Sequence, residues 1–390
     1  MGRRQITVAL GVALAAVLAA GSASAQDVVK IGMSFSMTGA GFNAAGRQAW
    51  AGARLYLQQH GDRVAGKKIE LILKDDAGVA DNARRLVQEM IVNDKVHIIG
   101  GGITPTALAY GQLVTQAKIA TVVMISGASV TTTASPYFVR TSFILSQSSW
   151  IMGEWAAKNG SKRVVTLVNE WAPGTEAETA FKQRFTELGG QVIESIRIPL
   201  ANPDFAPFLQ RIRDINPDTA FIYFPGTQAG IFAKQFAERG LASSGIKIIG
   251  PGDLTDDDEL NNMGDQMIGI VTAHDYSAAH GSPMNKKYVE EFKKTFNFRP
   301  SFVTVGGYDG MHLIYEALKK TGGKTDGDSL VAAMKGMRWE SPRGMMSIDP
   351  DTRDIIQAIY IRKVEKINGE LWNTEFAKFD DVKDPLNAKK

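Results

Sequence analysis

Short apolar runs and longer stretches with helical spacing follow one another regularly along this chain. VKIGMSF (29–35) is a strand-like run, and the segment Ala44 to His60 places Ala45, Ala49, Ala53 and Leu57 on one stripe, with Trp50 and Leu55 beside it. IELILKD (69–75) predicts a second strand and Asp81 to Asp94 a second helix. VHIIGG (96–101), a helix over 106–117 and IATVVMI (119–125) continue the series. The pattern then repeats, with strands RVVTLVN (163–169), QVIESIRI (191–198), TAFIYF (219–224), IKIIG (246–250) and MIGIVTA (267–273). Helices are predicted over 176–188, 205–215 and 229–239. Strands separated by helices imply parallel sheets covered on both faces. Between the two halves, 129–149 is rich in Ser and Thr and lacks clear periodicity, which reads as a crossing from one lobe to the other. The segment 284–336 is mostly helical, and MMSID and IIQAIYIRKV are strand-like.

The first 25 residues change the setting. Arg3 and Arg4 precede an apolar stretch from Ile6 to Ala20, and Ala23-Ser24-Ala25 is a small-x-small cleavage site, so 1–25 reads as an export signal. The stretch is short for a membrane span, which needs about 20 apolar residues. The product is expected to be free in the periplasm. There is no cysteine, so neither a lipidated cysteine nor a disulfide is available. The net charge of +3 includes the two leader arginines, which leaves no basic field for nucleic acid or an anionic membrane. A chain of 390 residues is too long for one small core and suits two domains.

In doubly wound sheets ligands bind beyond the carboxyl ends of the strands. Three loops at such ends combine glycine with hydroxyls: Ser36 to Gly41, Gly102 to Thr106, and Ser126 to Ser129. Each is also compatible with simple helix capping, but three on one sheet edge suit an anion held by N–H groups and hydroxyls. Catalytic constellations are missing: there is no cysteine nucleophile, no G-x-S-x-G elbow, no phosphate-binding loop and no metal-like histidine spacing. Asp256 to Glu259 and the loop Asp349 to Asp354 read as solvated acidic segments. No enzyme, cofactor or metal is expected.

Taken together, VKIGMSFSMTGAGFNAAGRQAWAGARLYL, KKIELILKDDAGVADNARRLVQEMIVNDKVHIIGG, IATVVMISGAS, VVTLVNEWAPGTEAETAFKQRFTELGGQV and VGGYDGMHLIYEALKKTGG resemble periplasmic substrate-binding proteins of ABC importers, of the leucine/isoleucine/valine-binding type. The resemblance implies an α/β type I periplasmic binding fold, two doubly wound lobes joined by a three-strand hinge. It divides the chain into 26–146 plus 277–348 and 147–276 plus 349–390, with crossings near 143–148, 274–279 and 346–350. Hinge closure would trap a ligand between the lobes. The partners it implies are a small carboxylate-bearing molecule and an inner-membrane permease, with the protein expected to be a monomer; a ligand-sensing receptor on the same fold is the other use.

It also implies site positions. Thr104, Ala128 and Ser129 match residues that hold a ligand α-carboxylate, and Trp171 and Phe224 match aromatics that close over the ligand. Ala45 stands where leucine-type binders carry tryptophan, which enlarges the pocket. Gly252 or Asp253 falls at the place of an acidic residue that pairs with the ligand ammonium. An inward Asp253 favours a branched-chain type amino acid; an outward one favours a benzoate-like or cinnamate-like acid.

Overall fold

The computed structural model describes residues 28–39, 43–199, 203–224 and 228–387. The proposed export signal, Gly41 and Ala40 lie outside these residues. The first sheet is built from β1 (Val28–Phe35), β2 (Arg63–Val64), β3 (Lys67–Asp75), β4 (Ile98–Gly101), β5 (Thr121–Val123) and β6 (Phe138–Arg140), in the order β2-β3-β1-β4-β5-β6. All its pairs are parallel except the short β2–β3 hairpin. The second sheet begins with β7 (Arg163–Asn169), β8 (Gln191–Ile198), β9 (Thr219–Tyr223), β10 (Lys247–Pro251) and β11 (Val271–His274). These five run parallel in the order β8-β7-β9-β10-β11. An antiparallel extension follows through β12 (Arg338–Ser341), β13 (Gly344–Ile348), β14 (Ile355–Ile367) and β15 (Glu370–Val382), with β14 seated against β11.

Helices cover the first sheet. Helix Asn43–His60 crosses helix Phe302–Lys320 so closely that a Cβ on Gly52 would lie 1.9 Å from the carbonyl oxygen of Thr304. Only glycine permits that approach. The chain passes between the sheets three times: after β6, after β11, and between helix Gly327–Met334 and β12. One buried side chain ties the passages together. Arg343, 1 % exposed at its side chain, donates from Nη1 to Asp275 Oδ2 (2.6 Å), from Nε to Asp309 Oδ2 (3.0 Å) and from Nη2 to the carbonyl of Thr141.

The structure departs from the predicted elements in identifiable places. The segment 129–149 is a 3-10 turn at Ser129–Ala134, then β6, then the start of helix Leu145–Lys158. That helix lacks a clear apolar period because its buried residues mix Leu145, Ile151, Met152 and Ala156 with Ser146, Gln147, Ser148 and Ser149. Ser146 donates to Asp384 Oδ1, Gln147 donates to the carbonyls of Ile355 and Val382, and Gln357 donates to Gln147. In the run MIGIVTA the strand starts only at Val271, after Gly264 and Gly269 turn the chain at positive φ. The acidic segments are only partly solvated. Asp257 is 2 % exposed, facing Arg362 at 3.6 Å and Asn373 Nδ2 at 3.1 Å, and Asp354 lies 3.0 Å from Arg140 Nε.

Candidate functional site

The strand ends of both sheets converge on one region between the lobes. From the first lobe come the loop after β4, with Thr104 at the head of helix Thr104–Ala117, and the loop after β5. Thr104 Oγ1 lies 2.8 Å from Ser126 Oγ, which lies 2.7 Å from Thr131 Oγ1, and Thr131 donates to the carbonyl of Ala128 (2.8 Å). Because the hydrogen of Thr131 goes to a carbonyl, Ser126 must donate to Thr131 and Thr104 to Ser126. Behind the loop Arg140, fully buried, donates to the carbonyls of Ala128 and, at 3.5 Å, Ser126. This side therefore presents hydroxyls, and the buried Arg140 behind them is paired with Asp354. The earlier loop is used differently: Asp75 accepts from the backbone of Met37 and Thr38, and Asp76 from Ser34 and Ser36.

From the second lobe come Trp171, half-buried at the head of helix Ala172–Glu187, and Glu176 one turn further on. Glu176 reaches across: Ser129 donates to its Oε1 from the backbone N–H and from the hydroxyl, each at 2.9 Å. Burial, reinforced by Asp384, outweighs the Ser129 bonds and the Arg140 charge and pushes the Glu176 carboxyl up to about 7. A second bridge crosses where Gln48 Nε2 donates to Asp258 Oδ2 (2.6 Å). Two carboxyl groups of the second lobe thus contact the first, beside further bonds such as Asn387 Nδ2 to the carbonyl of Ser129 and Arg299 to Glu370.

Asp253 sits in the 3-10 turn Gly252–Thr255 after β10, turned inward with its side chain 11 % exposed. Its Oδ2 faces Nε2 of the fully buried His274 at 3.7 Å. The ring of His274 lies 4.4 Å from Phe302 and 5.9 Å from Phe143, and its Nδ1 contacts Asp275. Arg362 donates from Nη2 to the carbonyl of Gly252 (3.1 Å), which fixes the turn. Burial raises the Asp253 carboxyl above the ordinary carboxylate range. Burial, and after it the charges of Asp253 and Glu176, raises the phenol of Tyr223.

The six expected positions therefore divide. Thr104, Ala128 and Ser129 sit together on the first lobe, with Trp171 and Asp253 on the second, whereas Phe224 lies in the second lobe's core, 5.3 Å from Phe205 and 5.1 Å from Phe232. Strand alternation explains it: Ile222 and Phe224 share the core-facing side of β9, and Tyr223 points the other way. Ala45 is half-buried near the head of helix Asn43–His60. Arg140, Glu176, Tyr223 and His274 were not picked out by sequence reasoning. Tyr223 could have been, because in the alternation of TAFIYF it lies on the face opposite Phe224.

Two α/β lobes hinged at three passages, with polar groups of both facing one cleft, define a clam-shell ligand-binding protein. The chain belongs to the periplasmic binding protein family, whose model matches residues 28–370. It is 40% identical over 380 residues to Leu/Ile/Val-binding protein homolog 6 of Brucella suis biovar 1 (strain 1330), covering 96% of this chain and 97% of that one. A solute binding protein of an ABC transporter from Rhodopseudomonas palustris BisB5, solved in complex with 3,4-dihydroxy benzoic acid, is 63% identical, with a TM-score of 0.89 over 92% of this chain and 99% of that chain. A leucine binding protein of Thermotoga maritima MSB8 is 26% identical with a TM-score of 0.80 over 90% of this chain and 99% of that chain. The protein is a solute-binding component of an ABC transporter. Among the described residues no helix is long and apolar enough to cross a membrane.

Proposed function

We propose that this protein captures an aromatic carboxylic acid of the benzoate class in the periplasm and delivers it to an inner-membrane permease, without chemical turnover. The lobes of this reading are those of the sequence analysis except that 338–348, whose strands β12 and β13 pair into the second sheet, joins the second lobe; Thr104, Ala128, Ser129, Trp171 and Asp253 are in the site. The observation that carries it is the 63% identity, over nearly the full length of both chains, to a protein that holds a dihydroxybenzoic acid. The cleft is consistent with that ligand. The hydroxyls suit a carboxylate at the first lobe, and the half-buried Trp171 offers ring surface for a flat ligand.

A branched-chain amino acid is the second reading, favoured by the inward carboxyl of Asp253 and by the names of the curated relatives. The structure weakens the first of these, because Asp253 already faces His274, with Arg362 behind the turn. Calorimetry with benzoate, hydroxylated benzoates and leucine decides between them. A ligand at about 100 times its dissociation constant adds about 2.7 kcal/mol of stability, so thermal shift serves as a first screen. Aromatic acids are expected to stabilise and leucine not to; tight leucine binding with silent aromatic acids overturns the assignment.

A further inference from the structure

The Asp253–His274 contact is the least satisfied polar place in the cleft. Asp253 Oδ2 and His274 Nε2 are both cut off from solvent, and neither has a hydrogen-bond partner among the described residues. They stand 3.7 Å apart, too far to bond each other well. A third atom can, however, stand about 2.8 Å from both. Buried polar groups left this way are costly unless something completes them.

The chemistry of the missing atom follows from counting protons. Asp275 is held well below the usual carboxylate range by His274 and Arg343, whose Nη1 donates to Asp275 Oδ2 at 2.6 Å. Asp275 occupies the other ring nitrogen: its backbone N–H donates to Nδ1 of His274 at 2.9 Å and its carboxylate contacts the same atom, which leaves Nε2 facing Asp253. With Nδ1 accepting that N–H, Nε2 carries the ring hydrogen and can donate, while the Asp253 carboxyl can accept. The pair presents one donor and one acceptor to the gap. An ammonium offers only donors and a carboxylate only acceptors, whereas a hydroxyl offers one donor and accepts in return. Among the polar groups that an aromatic-acid or amino-acid ligand can bring, the hydroxyl alone fits both halves.

We propose that Asp253 and His274 read a ring hydroxyl of the ligand, so that the protein selects hydroxylated benzoic acids over benzoate itself. This rests on the benzoate-class reading above and assigns the ligand's orientation. The carboxylate lies against the Thr104–Ser129 side, and the hydroxylated edge lies toward the second lobe. Arg343 is a positioning residue here: through Asp275 it fixes which histidine nitrogen faces the gap.

The test is the ratio of affinities, by calorimetry on the full-length mature protein, for benzoate, 4-hydroxybenzoate, 3,4-dihydroxybenzoate and 4-methoxybenzoate. Wild-type protein is expected to favour at least one hydroxylated acid over benzoate by tenfold or more, and to lose that gain with the methoxy acid, which accepts but cannot donate. In Asp253→Asn and His274→Gln, each checked for a wild-type melting profile, the ratio should fall to within about threefold. Equal wild-type affinities for benzoate and the hydroxylated acids, or a ratio that survives both substitutions, overturn the assignment while leaving the benzoate-class reading intact. Binding of none of the four acids overturns both. Should neither variant fold, the hydroxy-against-methoxy comparison in the wild-type protein still decides.

Discussion

At the residue scale, the hydroxyl chain from Thr104 through Ser126 and Thr131 to the carbonyl of Ala128 determines what Thr104 can contribute. Its hydrogen points at Ser126, so donation to a ligand carboxylate first gives up that bond. The gain is that of one net hydrogen bond, about 1 kcal/mol, and Thr104→Val should weaken ligand binding about fivefold. Unchanged affinity by calorimetry would remove Thr104 from the site. The hydroxyls and Asp253 were legible in the sequence because the ends of parallel strands are where ligands bind, whatever the motif. Arg140, Glu176 and His274 were not, since each is a lone charged or titratable residue in a strand or helix, and only the fold brings them to the cleft. Phe224 shows how sharp the limit is. A one-residue choice at a strand end selects between core and cleft.

Among the elements, most strand and helix positions followed from apolar spacing, and the failures share one cause. Helix Leu145–Lys158 buries serines and a glutamine through hydrogen bonds alongside its apolar contacts, and β15 carries a charged outer face, so neither shows the expected period. The turn after β10 illustrates how an element sets the site. A Cβ added at Gly252 would lie 1.9 Å from Cδ2 of His274 and 2.4 Å from Nη2 of Arg362, both buried side chains held by hydrogen bonds. Neither can give way without disturbing Asp253. Gly252→Ala should therefore cost about 1–3 kcal/mol, as overpacking does, lower the melting temperature by several degrees, and weaken ligand binding as well. A variant that melts and binds as the wild type does would show that the turn relaxes freely.

For the whole molecule, Asn387–Ser129 and Arg299–Glu370 join the lobes, Arg343 gathers the three passages on the hinge side, and two further contacts, Ser129–Glu176 and Gln48–Asp258, cross between the lobes. Both contacts bury a carboxyl of the second lobe, and burial raises both groups. When the lobes part, water reaches Glu176 and its carboxyl returns toward the ordinary value of 4.5, against about 7 when closed. Between those values the closed form keeps a proton that the open form releases, so closure is favoured at the lower end and is lost as pH rises through about 7. Ligand-free protein should accordingly show a larger radius of gyration by small-angle scattering at about pH 8 than at about pH 6. Glu176→Gln, which still accepts from Ser129 but carries no charge, should flatten that change. Asp258 shifts in the same sense and keeps a residual dependence toward acid pH. A bound ligand that holds the lobes shut should suppress the dependence in the wild-type protein too. Parallel profiles for wild type and Glu176→Gln would place the closing force elsewhere, in Gln48–Asp258 and the hinge network.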